Sequence, residues 1–414
     1  METSNLYLIY KQNPKICTDS RNIIQGSIFF ALKGENFNGN IFANKAIKEG
    51  CIKAIIDDKK YHNPPSTILV ENSLKTLQDL ARHHRNNLNI PVIGVTGTNG
   101  KTTSKELINT VLQKKYQTYC TKGNLNNHIG VPLSILELNS NHEIAIIEMG
   151  ANHEKEINFL CSIAKPNYGV ITNIGAAHLE GFKNLQGVIN TKNELYEYIK
   201  NNNGKIFVNQ HDKLLMELSS DINRIKYGEN KNINNNNLFT IINYKEKIIK
   251  SNLIGDYQQY NILLSISLGE YFKIKLEKII SAIEEYKPKN NRSEIIKTKN
   301  NLIILDAYNA NPSSMKAMIH SFYKYKGDNK LCILGDMLEL GKHSTKEHKK
   351  IVKLCQELKL EALFVGQEFK QIHEDSFVKK DDINKYIKET KIINKIILLK
   401  GSRGIQLETL INLL

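Results

Sequence analysis

The stretch Val92-Ile-Gly-Val-Thr-Gly-Thr-Asn-Gly-Lys-Thr-Thr103 constrains this chain more than any other. An apolar strand pattern runs into Gly97 and Gly100, then Lys101 and Thr102, and a helical pattern begins at once. Backbone N–H groups in such a turn point inward, and the helix N-terminus behind them adds positive potential, so the segment suits a phosphate chain. Lys101 has the reach for β- and γ-phosphates, and the Thr102 hydroxyl is a ligand type for Mg²⁺. Thr98, Asn99, Gly100 and Thr103 complete the candidate cradle for a nucleoside triphosphate. The strict G-x-x-x-x-G-K-[ST] spacing fails at one point: Val95 stands where the first glycine belongs, and Gly94 is one residue early. The alternative is a glycine-rich turn with no ligand. The complete Gly-Lys-Thr-Thr in a strand–loop–helix context argues against it.

The surrounding pattern predicts an α/β chain of three domains. Residues 1–89 carry short apolar stretches (Ser27–Leu32, Ala54–Ile56, Ile68–Val70) and a helical pattern at Ser73–Arg85, which reads as a small N-terminal α/β domain. Residues 90–287 alternate short apolar strands (Val92–Thr96, Ile144–Glu148, Tyr168–Asn173, Lys205–Asn209) with helical patterns (Thr102–Lys115, Glu154–Ile163, Leu185–Ile199, Tyr257–Tyr271). That rhythm predicts a central P-loop ATPase domain on a doubly wound parallel sheet. The Asn-rich run Asn230–Asn237 is read as a surface loop. Tyr286–Arg292 has linker composition, and residues 288–414 predict a Rossmann-like C-terminal domain. Its strand candidates are Leu302–Asp306, Lys330–Leu334, Ala362–Val365 and Lys395–Leu399, with helices at Ser313–Tyr325, Thr345–Leu358 and Asp381–Thr390.

Charge raises a rival. Lys plus Arg is 57 against 42 Asp plus Glu, a formal net charge of +15. Only six of these cations are Arg, the residue that clamps phosphates bidentately and reads bases, and the 51 Lys are scattered. The composition therefore predicts a solvated surface rather than a nucleic-acid site. The six cysteines have neither zinc-site nor disulfide-framework spacing, no leader pattern opens the chain, and no apolar run reaches membrane-spanning length. A cytoplasmic protein without membrane insertion is expected.

A nucleotide loop alone does not say where the γ-phosphate goes. Thr96-Gly-Thr-Asn-Gly-Lys-Thr-Thr103 resembles the ATP loop of the Mur ligases, which assemble the peptide stem of peptidoglycan; that variant also lacks the first glycine. Further similar segments follow in the family's order: Lys122-Gly-Asn-Leu-Asn-Asn-His-Ile-Gly-Val-Pro-Leu-Ser134, Ile147-Glu-Met-Gly-Ala-Asn152, Ile171-Thr-Asn-Ile-Gly-Ala-Ala-His178 and Thr191-Lys-Asn-Glu-Leu195. Asp306-Ala-Tyr-Asn-Ala-Asn-Pro-Ser-Ser-Met315, Leu334-Gly-Asp-Met-Leu-Glu-Leu-Gly341 and Lys400-Gly-Ser-Arg403 continue it. Thr18-Asp-Ser-Arg21 and Phe30-Ala-Leu-Lys-Gly-Glu35 fit at the N-terminus. The resemblance spans nearly the whole chain.

It implies a monomeric, ATP-dependent ligase that joins D-Ala-D-Ala to UDP-MurNAc-tripeptide through an acyl phosphate. It also implies roles. Lys101, Glu148, His178 and Lys192 would be catalytic, and Thr102, Glu148, His178 and Lys192 would hold two Mg²⁺. The family position matching Lys192 is a carbamylated lysine, which local composition could never reveal. Asn261, Arg292, Asp306 and Asn309 would join the ATP site, with Asp306 accepting from ribose. Asn124, Asn126 and Asn127 would line the acceptor side, and Ser20, Arg21 and Lys33 the UDP side. Read without the resemblance, Glu148 could be a helix cap, His178 a structural histidine, Lys192 a solvated lysine and Arg21 half of an ordinary ion pair.

Two departures stand out. Gln258 replaces the family's usual Asn in Gly255-Asp-Tyr-Gln-Gln-Tyr-Asn261, and Lys155 stands before Glu156 where the family often has Gly, which would extend a helix. A non-catalytic scaffold that keeps the fold is opposed by the intact set Lys101, Thr102, Glu148, His178 and Lys192, and two rival ligases are weighed on motifs. The ligase for the third stem residue carries an Asp-Asn-Pro-Arg signature absent here, and folylpolyglutamate synthase reads Gly-Lys-Gly-Ser where this chain has Gly100-Lys-Thr-Thr103. A P-loop nucleic-acid motor would need steeply salt-dependent binding.

Overall fold

The computed structural model describes residues 2–176, 179–229, 239–289 and 291–414. The surface-loop reading of Asn230–Asn237 lies outside them.

Among the described residues three large sheets, each dominated by parallel strands, organise the chain, beside two antiparallel two-stranded ones. The first has the spatial order Ile16–Cys17, Ile28–Phe30, Lys53–Ile56, Thr67–Leu69. The second has six parallel strands in the order Arg224–Tyr227, Lys205–Asn209, Tyr168–Ile171, Val92–Thr96, Ile144–Glu148, Thr118–Cys120. Val92–Thr96 sits between neighbours on both sides and is buried along its whole length, which is why it reads as an uninterrupted apolar run. Ile144–Glu148 lies on one side of it and Tyr168–Ile171 on the other, so the strand order reverses there. A crevice opens at the C-terminal ends of parallel strands where the order reverses, and the phosphate loop leaves Val92–Thr96 at that point. The third sheet runs Glu294–Lys297, Leu302–Asp306, Ile396–Lys400, Lys330–Gly335, Glu361–Val365, with the first strand antiparallel at the edge.

Several elements were not legible from pattern: the helices Thr3–Gln12, Gly130–Leu136, Lys213–Leu218 and Leu276–Glu285, the edge strands Thr118–Cys120, Arg224–Tyr227 and Glu294–Lys297, and the hairpin Phe239–Tyr244 with Lys247–Ile254. The edge strands are short or charged, so they carry neither period strongly. Two expected elements are corrected. The strand expected over Tyr168–Asn173 ends at Ile171, because Thr172 and Asn173 turn away to hold the phosphate loop. The helix expected from Glu154 begins at Glu156. Lys155 does not extend it but takes a left-handed backbone, φ 69°, the conformation a glycine reaches at least cost.

The hydrophobic cores divide unevenly. One cluster runs without a break from Phe30, Ile55, Leu77 and Leu80 of the first unit to Val131, Ile147, Leu160 and Val188 of the second. Arg85, 6% exposed, reinforces that junction: its guanidinium donates to the carbonyls of Ala164, Leu88, Ile90 and Lys165. The third sheet has its own two clusters, into which, among the described residues before Glu294, only Ile254 and Tyr257 reach. The first two units thus share an interior, whereas the third meets them across largely polar ground. No helix among the described residues is long and apolar enough to cross a membrane.

Candidate functional site

Between the second and third sheets lies a cleft of about 1110 Å³. Its floor is the phosphate loop. Gly97 has φ 141°, and a Cβ there would lie 2.0 Å from Thr172 Oγ1; Gly100, φ 78°, ends the turn and starts the helix Lys101–Leu112. The loop is held from the neighbouring strand end. Thr98 N donates to Asn173 O (2.9 Å), Asn99 N to Asn173 Oδ1 (3.0 Å), and Thr172 Oγ1 to Asn99 O (2.6 Å). These bonds fix the loop backbone without using the loop's own side chains.

Lys101, whose residue lines the cleft, folds back on the loop and donates to the carbonyls of Gly97 (2.8 Å) and Thr98 (3.2 Å). Burial lowers its pKa; the charge of Glu148 opposes that shift and the charge of Arg292 adds to it. Thr102 Oγ1 donates to Glu148 Oε2 at 3.0 Å, and Asn126 Nδ2 donates to Glu148 Oε1 at 2.8 Å. Glu148 is 1% exposed and closes a strand, so both partners reach it at the switch point. Lys192 is buried and is not part of the cleft wall. Its amine is pushed down to about 7, chiefly by burial and then by repulsion from Lys101, with Glu156 and Glu194 opposing. Its ammonium lies 5.7 Å from the Phe182 ring. His178 lies outside the described residues.

The opposite wall comes from the third sheet. The Arg292 guanidinium lies 3.7 Å from the centre of the Tyr308 ring, and Arg403 lies 5.5 Å from it. Asp306 pairs with Lys400 at 2.6 Å through Oδ2 and accepts from Ser293 N at 3.1 Å through Oδ1. The ribose role expected of Asp306 would therefore share a carboxylate already engaged twice. Asn309 is exposed in the wall, and its carbonyl accepts from Lys400 at 3.3 Å. Asn261 and Gln258 form one chain: Ser104 Oγ donates to Asn261 Oδ1 (3.0 Å), and Asn261 Nδ2 to Gln258 Oε1 (2.6 Å). The longer Gln258 keeps an amide acceptor for its neighbour and stays in the wall.

Two walls meet at Asn99. Its Nδ2 donates to Ser313 Oγ (2.8 Å), and its Oδ1 accepts from Asn311 Nδ2 (2.7 Å). Asn311 also caps the helix Pro312–Lys324.

Asn124, Asn126 and Asn127 line the cleft with Thr98, Thr103 and the rest of the loop. Asn127 spends its Oδ1 on the N–H groups of Ile129 and Gly130, capping the helix Gly130–Leu136. Ser20, Arg21 and Lys33 are not brought here. They follow parallel strands of the first sheet at its C-terminal edge, where Arg21 pairs with Asp19 (2.8 Å) and Lys33 with Asp57 (2.9 Å). Sequence reasoning missed Lys105, Tyr308 and Lys400. Tyr308 stands in the motif Asp306–Met315 and Lys400 in the motif Lys400–Arg403, which were the available signals; Lys105 gave none.

Could this site hold Mg²⁺? Thr102 Oγ1 and Glu148 Oε2 are hard oxygen donors 3.0 Å apart at the loop that would carry the phosphates, which is the donor chemistry the ion takes. The residues fit.

Comparison with known proteins extends this geometry. Residues 95–269 match the family model described as the Mur ligase middle domain, and residues 291–403 the one described as the Mur ligase, glutamate ligase domain. The UDP-N-acetylmuramoyl-tripeptide–D-alanyl-D-alanine ligase of Bacillus subtilis (strain 168) is 35% identical over 423 residues, covering 96% of this chain and 92% of that protein. MurF from Acinetobacter baumannii superposes with a TM-score of 0.86 at 29% identity, covering 96% of this chain and 92% of that one. The MurF ligase of Thermotoga maritima in complex with ADP gives 0.84 at 28% identity, covering 97% of each chain.

Proposed function

The chain belongs to the Mur ligase family and is an ATP-dependent ligase, and on that premise we propose that it joins D-alanyl-D-alanine to UDP-MurNAc-tripeptide, forming ADP and phosphate, in peptidoglycan precursor synthesis. The observation that carries this reading is the Thr102–Glu148 pair at the switch point, beside Lys101 and faced across the cleft by Arg292 and Asp306.

The chemistry needs activation because a carboxylate is a poor electrophile. The terminal carboxylate of the donor attacks the γ-phosphate of ATP, giving an acyl phosphate and ADP. The amine of D-Ala-D-Ala attacks the acyl carbon, and phosphate leaves. The loop N–H groups and Lys101 hold the triphosphate and meet the charge that develops on the transferring group. Arg292, stacked on Tyr308, presents a fixed guanidinium from the far wall. Glu148 and Thr102 would hold Mg²⁺, with His178 and a carbamylated Lys192 serving a second ion; bound there, Mg²⁺ supplies charge neutralisation of the phosphates. A lysine amine with a pKa of about 7 is half neutral at neutral pH, and the neutral amine is the form that adds CO₂. Asn261 and Asn309 would sit on the nucleotide side, Asn124, Asn126 and Asn127 on the acceptor side, and Ser20, Arg21 and Lys33 would take the UDP moiety. We assign units 1–89, 90–287 and 288–414, with a monomer working in the cytoplasm.

ADP release with UDP-MurNAc-tripeptide tests the reading, comparing D-Ala-D-Ala with single amino acids and L-glutamate. Release stimulated by D-Ala-D-Ala is expected, and activity with L-glutamate alone would replace it with a folylpolyglutamate-type reaction. Lys101→Ala is expected to abolish ADP formation; wild-type phosphate release by that variant would remove Lys101 from its role.

A further inference from the structure

Lys105 lies one helical turn beyond Lys101, so both fall on the same face of the helix Lys101–Leu112. Lys105 is 1% exposed and does not line the cleft. Its ammonium has three donors and three oxygen partners: Thr121 O at 2.6 Å, Gly123 O at 2.7 Å and Glu148 Oε2 at 3.4 Å. A buried ammonium is costly unless it is paired and hydrogen-bonded, and here it has two carbonyl hydrogen bonds and a carboxylate ion pair.

Those partners lie on three separate segments. The helix carries Lys105 and Thr102. The turn at 121–123 leads into Asn124, Asn126 and Asn127. Glu148 ends the adjoining strand. The turn is also tied to Glu148 directly, since Asn126 Nδ2 donates to Oε1 and Gly150 N donates to Asn126 O at 2.7 Å. Thr121 Oγ1 accepts from Glu148 N at 3.0 Å. Lys105 closes this ring from the helix side. It shares Glu148 Oε2 with Thr102, so the orientation of that carboxylate and the path of the 121–127 segment are set together.

We propose that Lys105 is a positioning residue that fixes the 121–127 segment and the Glu148 carboxylate to the phosphate-loop helix, so that the acceptor side and the phosphate side of the cleft hold one geometry before either ligand arrives. This rests on the ligase reading for the meaning of the two sides, but the structural coupling does not.

The test compares Lys105→Met, which keeps the unbranched apolar stem and removes every donor, with the wild-type protein. Hydrogen exchange without ligand is expected to show amides of 121–127 losing protection at least tenfold while those of 92–96 keep theirs. Binding of ADP is expected to stay within threefold, since the loop backbone is held by Thr172 and Asn173, while kcat for ADP formation falls at least thirtyfold with little change in the KM for ATP. A folded Lys105→Met protein with wild-type exchange at 121–127 and wild-type kcat overturns the proposal; lower thermal stability with neither change does so equally. Should that variant not fold, Lys105→Gln keeps two neutral N–H donors without the charge and is expected to give intermediate exchange and intermediate kcat, and wild-type values for both overturn the proposal. Failure of the wild-type protein to form ADP with D-Ala-D-Ala would strike the ligase reading and leave the exchange result intact.

Discussion

Asn99 is the residue through which the third unit touches the phosphate loop, and Asn99→Ala tests how much that contact contributes to closing the cleft. The substitution removes two hydrogen bonds, Nδ2 to Ser313 Oγ and Asn311 Nδ2 to Oδ1. It leaves the loop backbone held, because the bonds from Asn173 and Thr172 use only main-chain atoms of Asn99. It also leaves Asn311 capping its helix, which an Asn311 substitution would not. A neutral hydrogen bond contributes about 0.5–1.5 kcal/mol net, so two contribute about 1–3 kcal/mol. Asn99 is partly exposed and water replaces some of that, leaving about 1–2 kcal/mol, a factor of roughly 5–30 in the closed-to-open ratio. Little apolar packing joins the third unit to the rest, so this is a sizeable share of what holds it. Small-angle scattering should show a larger radius of gyration for the variant. Turnover should leak, with more phosphate released per amide formed, because a looser cleft admits water to the acyl phosphate. Ser313→Ala, which removes one of the two bridges, should give about half the effect in free energy. A scattering profile and a phosphate-to-amide ratio equal to wild type would refute the reasoning.

Other outcomes follow from single contacts. Thr102→Val keeps shape but loses the hydroxyl that meets Glu148; a hydrogen bond to a charged group contributes about 1.5–3 kcal/mol, so kcat/KM for ADP formation should fall roughly 10–150-fold. Lys155→Gly relieves a left-handed non-glycine residue, which costs roughly 1–2 kcal/mol, part of which the unfolded-state entropy of glycine returns; urea midpoints should rise by an amount worth up to about 1 kcal/mol. Lys192 has its amine near 7 in the folded protein against 10.5 unfolded, so between those values the unfolded chain binds the extra proton and stability rises with pH. The burden is complete below pH 7 and gone above 10.5. Lys192→Met in CO₂-free buffer should therefore gain most stability at pH 6.5 and flatten the profile toward pH 10, as read by urea melts; an unchanged slope would contradict the buried, uncompensated amine.

The site divided into parts that local pattern could and could not reveal. Lys101, Thr102 and Glu148 were legible because a phosphate loop and a strand end are local objects: their residues are adjacent in sequence or sit at a fixed place in an α/β rhythm. Asn261 was legible through the family pattern, whereas its bond to Gln258 was not. Lys105 was not legible, since a lysine in a helix is ordinarily solvated and nothing nearby signals that a turn from residues 121–123 will cover it. Lys400 opens the motif Lys400–Arg403, but its role was not legible, since its burial against Asp306 joins residues 94 positions apart. Gly-to-Lys at position 155 read as a helix extension because helix propensity is visible in sequence, whereas the sign of φ is decided by where Glu194 pins the N–H groups of Lys155 and Asn158.

By itself, then, the sequence determined the strand–loop–helix, the α/β class and the family, because each rests on short-range spacing, on the two periods of secondary structure, or on motifs in order along the chain. Tertiary structure alone decided which units share an interior and which meet across polar ground, that Asn99 spans the cleft, and that Lys105 is sealed beneath Glu148. Burial and pairing are properties of the neighbours a side chain acquires on folding, and those neighbours come from segments whose separation along the chain no local pattern encodes.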